Sequence, residues 1–87
     1  MIISSNKQFD KMFQKASPQI QRAFKERVKM LEMDFHNPLL NKHKLKGEMQ
    51  DYCSINVTGD WRVIFKELKN GEIIFFILLG THSELYK

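Results

Sequence analysis

His43, Asp60, Arg62, His82 and Tyr86 combine acid–base capacity with positive charge, and lysines 42, 44 and 46 crowd around the first of them. Histidine titrates near neutral pH, so one side chain can give a proton or take one. Arginine presents planar donors that match two oxygens of a phosphate. Tyrosine stacks on a base or donates a proton. Each residue also has a structural reading. Arg62 can pair with Asp60 or Glu67, and Asp60 can shape the turn it occupies. His82 can be a plain surface residue, and Tyr86 a hydrophobic pin for the C-terminus.

As a set these groups suit metal-free cleavage of RNA. A base removes the proton of a ribose 2′-hydroxyl, the freed oxygen attacks the adjacent phosphate, and an acid protonates the departing 5′-oxygen. Cations offset the charge on the phosphorane. The nucleophile belongs to the RNA, so neither a cofactor nor a metal is expected. The sequence lacks the HExxH, paired-cysteine and phosphate-cradling glycine patterns, and it has no Gly-x-Ser-x-Gly elbow. His36, beside Asn37-Pro38 at the expected end of a helix, suits the helix dipole and is set aside as structural.

Bulk properties narrow the classes. The 87 residues are expected to form one domain, residues 1–87. Lys and Arg number 14 against 10 Asp and Glu, a formal charge of +4 that favours an anionic partner. Cys53 is the sole cysteine, which excludes an internal disulfide and suits a reducing cytoplasm. The start lacks the apolar stretch of a signal peptide. The longest apolar run, Ile73 to Leu79, falls far short of the ~20 residues of a membrane-crossing helix.

The elements that must position these groups follow from periodicity. Met1 to Ser4 reads as a first strand. Ser5 and Gln8 make a capping-box pattern for a helix whose stripe is Phe9, Met12, Phe13 and Ala16. Ser17-Pro18 starts a second helix with Ile20, Ala23, Phe24, Val28, Leu31 and Phe35 on one face, and Asn37-Pro38 is expected to end it. Leu39 to Gly47 reads as a basic loop. Tyr52 to Val57 and Trp61 to Lys66 alternate as strands around a Thr58-Gly59-Asp60 turn, and Asn70-Gly71 signals a hairpin into the apolar final strand. The order β-α-α-β-β-β predicts an α+β fold, a helical hairpin packed on one face of a twisted antiparallel sheet. The other face is expected to be free for a ligand, with His82 just past the final strand behind Gly80.

Lys44-Leu45-Lys46-Gly47, then Tyr52, then Gly59-Asp60-Trp61-Arg62-Val63-Ile64-Phe65, then Gly80-Thr81-His82-Ser83-Glu84-Leu85-Tyr86 resembles the RelE/ParE toxin superfamily. The resemblance covers the whole chain and is nearest to the RelE and YafQ-like mRNA interferases of type II toxin–antitoxin systems. It implies a toxin that enters the ribosomal A site, cuts the bound mRNA to a 2′,3′-cyclic phosphate, and is neutralised by a cognate antitoxin. It implies His82 as general acid, His43 as first choice of base and Asp60 as second. Arg62 matches the phosphate-contacting strand arginine, and Tyr86 the C-terminal aromatic position. Lys42, Lys44, Lys46 and Asn56 are the expected RNA-binding residues. Asn56 stands where YafQ-like toxins carry a histidine, and Cys53 and Ile55 stand where RelE-type toxins carry lysines. The superfamily also includes the ParE branch, which poisons DNA gyrase without acid–base chemistry. An inactive relic that only binds antitoxin is the remaining alternative.

Overall fold

The change of hydrophobic period from helical to alternating divides the chain into a helical hairpin and a sheet. The computed structural model describes residues 1–86. Its strands are β1 (Ile2–Ser5), β2 (His43–Lys44), β3 (Tyr52–Asn56), β4 (Trp61–Leu68) and β5 (Ile73–Thr81). Its helices are α1 (Lys7–Lys15), α2 (Pro18–Met33) and the single turn α3 (His82–Leu85), with 3-10 turns at Pro38–Leu40 and Gly47–Met49. The α+β architecture is the expected one. Two elements were not foreseen: β2, carved from the basic loop, and α3, which carries His82.

The sheet order is β1-β5-β4-β3-β2. β2 to β5 pair antiparallel, whereas β1 joins the far side of β5 in parallel, Ile2 opposite Ile73 and Ser5 opposite Phe76. The helical hairpin and the loops after it return the chain to the sheet, where a parallel neighbour becomes possible. The β4–β5 turn uses Lys69, Asn70 and Gly71, all with positive φ. A Cβ at Gly71 would also meet the Phe35 ring at 3.3 Å. The Asn-Gly signal therefore carries both a turn and a close approach.

Local capping differs from the pattern in one place. Asn6, not Ser5, caps α1: its Oδ1 accepts the Phe9 N–H at 2.7 Å, while the Ser5 hydroxyl donates to Asp10 at 2.6 Å. Ser5 is still paired in β1, so the cap moves to the first residue free of the sheet. Ser17 caps α2 as expected, accepting from Ile20 N–H at 3.3 Å. The end of α2 is a correction. It stops at Met33, ahead of Asn37-Pro38, because Asp34 bonds locally: its carboxylate accepts the His36 N–H at 3.1 Å. His36 therefore lies in the turn beyond the helix, outside its last turn.

Both helices bury their stripes on one sheet face. Phe9 and Phe24 meet Phe76 at ring-centroid distances of 5.5 and 5.0 Å and each other at 5.2 Å. Ile55, Val63, Phe65, Ile74 and Leu79 complete this side, with Leu31 and Leu40 beneath the helices and loop. Arg27 on α2 ties the layers. Its Nε donates to Val57 O and its Nη1 to Leu39 O, both at 3.3 Å.

Candidate active site

Alternation sends the partners of the core residues to the opposite sheet face. There the register aligns Asn56 with Arg62 and Arg62 with Gly80. Ser54 aligns with His43 on one side and Ile64 on the other. This face is not simply open. Ser54 is 0% exposed and Ile64 1%, so the middle of the face is closed over. The Ser54 Oγ and Asn56 Oδ1 are buried without a hydrogen-bond partner among the described residues. Buried polar atoms normally find partners. These two therefore form a polar floor between His43 and Arg62. Ser54 was not among the expected site residues. Its place beside Asn56 in the alternation was visible, but its burial was not.

The end of β5 places His82. Thr81 caps α3 in a capping box with Glu84: Thr81 Oγ1 accepts the Glu84 N–H at 3.3 Å, and Glu84 Oε1 accepts the Thr81 N–H at 2.8 Å. The His82 N–H donates to the Asp60 carbonyl at 3.0 Å, which pins α3 to the β3–β4 turn. Tyr86 lies one helical turn on, and its ring centroid is 4.7 Å from that of His82. Both side chains are exposed.

Arg62 holds the same turn from the strand. Its Nη1 donates to the carbonyls of Gly59 at 2.9 Å, Thr58 at 3.2 Å and Trp61 at 3.3 Å. Arg62 is thus held by backbone carbonyls rather than by Asp60 or Glu67 carboxylates. All three bonds use one nitrogen. His82, Tyr86, Asp60, Arg62 and Asn56 are brought to one end of the sheet.

His43 stands on the outer strand. Three strand spacings separate β2 from β5, roughly 14 Å at ~4.8 Å each. Its Nδ1 is 3.0 Å from the Asn41 carbonyl. A carbonyl only accepts, so this bond places the proton on Nδ1 and leaves Nε2 of the neutral ring as an acceptor.

The lysines divide. Lys44 opposes Cys53, whose neighbours are core residues, so Lys44 lies on the helix side, away from His43. Lys42 is pinned on that side: its ammonium is 2.8 Å from Glu67 and 3.6 Å from the centroid of Phe35. The Cys53 thiol donates to the same Glu67 oxygen at 3.5 Å. Burial first, then the Glu67 charge and this bond, push the Cys53 thiol up to about 11. Such a thiol is no nucleophile at neutral pH. Lys46 is exposed ahead of the second 3-10 turn.

The site is a surface rather than a pocket. A groove of about 420 Å³ lies elsewhere, between β1 and α2, lined by Ile3, Phe9, Phe24, Val28 and Phe76 with Lys25 and Lys29 at its margin. Among the described residues no group of three or more His, Cys, Asp or Glu could hold a metal ion, and no helix is long and apolar enough to cross a membrane.

A helical hairpin over a five-stranded sheet is the fold of the RelE-like toxins. The structure is similar to that of YafQ from E. coli strain BL21(DE3) (TM-score 0.82, 21% identity, 98% of this chain and 97% of that one). It is also similar to the toxin in the E. coli DinJ-YafQ toxin-antitoxin complex (TM-score 0.79, 22% identity, 98% and 96%). A further likeness is to the archaeal RelE-RelB complex from Pyrococcus horikoshii OT3 (TM-score 0.70, 24% identity, 94% of each chain). No curated protein matches the sequence. A family model described as the bacterial toxin of type II toxin-antitoxin systems, YafQ, matches residues 1–87. The chain belongs to this family and is a toxin of a type II toxin–antitoxin system.

Proposed function

We propose that this toxin is a metal-independent endoribonuclease that cuts mRNA in the ribosomal A site and is neutralised by a cognate antitoxin. The observation that carries the reading is the constellation at the end of β5. His82 is bonded through its backbone to the Asp60 turn, paired with the Tyr86 ring, and adjacent to the row Asn56–Arg62–Gly80. The scissile phosphate lies over that row, with Arg62 contacting its oxygens. In an in-line attack the entering and leaving oxygens sit on opposite sides of phosphorus, so acid and base approach from opposite sides.

His43 and His82 flank the row in this sense. His43 Nε2 takes the 2′-hydroxyl proton, the 2′-oxygen bonds to phosphorus, and the P–O5′ bond breaks. Protonated His82 gives its proton to O5′, leaving a 2′,3′-cyclic phosphate and a 5′-hydroxyl. Asp60, in the turn whose carbonyl accepts the His82 N–H, is the second candidate for base. Tyr86 stacks on or orients the nucleotide beside His82. Asn56 and Lys46 contribute to RNA binding. The geometry supports a smaller share for Lys42 and Lys44, which lie on the helix side. The antitoxin reading draws on the likeness to toxins solved with DinJ and RelB.

The test is primer extension on ribosomes programmed with a defined mRNA. Wild type should produce A-site cuts, and His82→Ala should lower their rate by about 10²–10⁴-fold. Replacing His43 with Gln, or Asp60 with Asn, in the same assay identifies the base. A wild-type protein that leaves the mRNA intact overturns the reading. Undiminished cutting by His82→Ala removes only the assignment of the acid.

A further inference from the structure

The face opposite the helices carries a row of residues that the chemistry above does not use. The register aligns Tyr52 on β3 with Lys66 on β4, and Lys66 with Phe75 on β5. Tyr52 and Phe75 stand outside the helix-side core, and both are only partly buried. The Lys66 ammonium lies 5.9 Å from the centroid of the Tyr52 ring. Neighbouring strands are about 4.8 Å apart, so the two aromatics are spaced by roughly 10 Å with the lysine between them.

Two aromatic faces on a sheet, with a cation between, suit single-stranded RNA. Bases stack on the rings and the linking phosphate meets the ammonium. The row is continuous with the candidate active site. Tyr52 and Asn56 share β3 and lie about 13 Å apart at ~3.3 Å per residue. The closed-over Ser54–Ile64 row lies between them, so RNA reaching from one to the other passes above it. The formal charge of +4, with Arg62 and Lys66 both on this face, complements a polyanion and not a basic partner.

We propose that Tyr52, Lys66 and Phe75 form a stacking platform for single-stranded RNA, holding nucleotides that flank the scissile phosphate. The proposal rests on the ribonuclease reading for the substrate class, but binding is measurable without cleavage. Stacking accepts any base, so the platform adds affinity with little sequence preference.

The experiment is fluorescence anisotropy with a short labelled 2′-O-methyl oligoribonucleotide, which lacks the attacking hydroxyl. The wild type should bind this oligonucleotide. Tyr52→Leu and Phe75→Leu should each weaken binding by about 5- to 100-fold, and Tyr52→Phe should restore it. Lys66→Glu, at a site that needs no repacking, should also weaken binding and keeps the test decisive if a leucine variant folds poorly. Failure of the wild type to bind overturns the platform. So does wild-type affinity in folded Leu and Glu variants, which would make the row a protein-facing surface. If binding depends on the platform while the wild type cuts no mRNA on the ribosome, the nuclease reading fails and the platform stands. If the wild type cuts and the variants bind and cut equally well, the platform alone fails.

Discussion

At the scale of single residues, hydrogen bonds decide what a side chain is able to do. The Asn41 carbonyl selects the His43 tautomer whose Nε2 can accept a proton. The turn carbonyls around Thr58 and Gly59 hold Arg62 by one nitrogen. Cys53 shows the reverse, a reactive group silenced. Its thiol, raised from 9.0 to about 11 by burial and then by Glu67, stays protonated in the fold at a pH where the unfolded chain ionises it. Above pH ~9 the unfolded state therefore binds fewer protons than the native one, and stability falls as pH rises from about 9 to about 11. The full effect is on the order of 3 kcal/mol. Denaturant melts of wild type and Cys53→Ala across this range should show the stability difference between them shrinking or reversing as pH rises. A constant difference contradicts the buried, carboxylate-coupled thiol.

At the scale of elements, α3 matters more than its length suggests. It is one turn, closed by a capping box and bonded to the Asp60 turn, and it sets where His82 and Tyr86 stand. Gly80 is the seat on which it rests. A Cβ there would lie 3.3 Å from Leu85 Cδ2 and 3.4 Å from Glu84 Oε1. The Leu85 side chain and the capping carboxylate must then give by a few tenths of an ångström. Gly80→Ala should lower the cleavage rate by about 10-fold through displacement of His82. The melting temperature should hardly move, since the contact is at the chain's edge. Equal losses of rate and stability would mean that Gly80 serves folding rather than placement. Lys42 is an element-scale residue as well. Seated on Phe35 and paired with Glu67, it fastens the start of β2, so its charge serves the loop before any ligand.

At the scale of the molecule, one aromatic cluster joins both helices to the sheet. Phe24 touches Phe9, Phe13 and Phe76 at 5.0 to 5.6 Å between centroids and is 8% exposed. Phe24→Ala should cost about 3–5 kcal/mol by chemical denaturation. Melting like the wild type would contradict the packing of the hairpin on the sheet. The helices occupy one face and the candidate chemistry the other. A loss in the core should therefore lower the folded fraction without changing the rate constant of the protein that remains folded.

Much of this was written locally in the chain. Ser17-Pro18 announces a helix start, Asn70-Gly71 a hairpin, and the alternation from Tyr52 to Asn56 and from Trp61 to Lys66 two strands with a polar and a core side. These signals act within a few residues, so composition and spacing carry them without reference to the rest of the fold. The positions of His82 and Tyr86 past the final strand were legible for the same reason. The parallel seat of β1 on β5, the pairing of His43 with Ser54, the burial of Ser54 and the capture of Lys42 by Phe35 and Glu67 were decided only in the tertiary structure. Each joins residues distant in sequence. Which distant strand, carboxylate or ring a side chain meets depends on how the layers pack, and no local pattern encodes it.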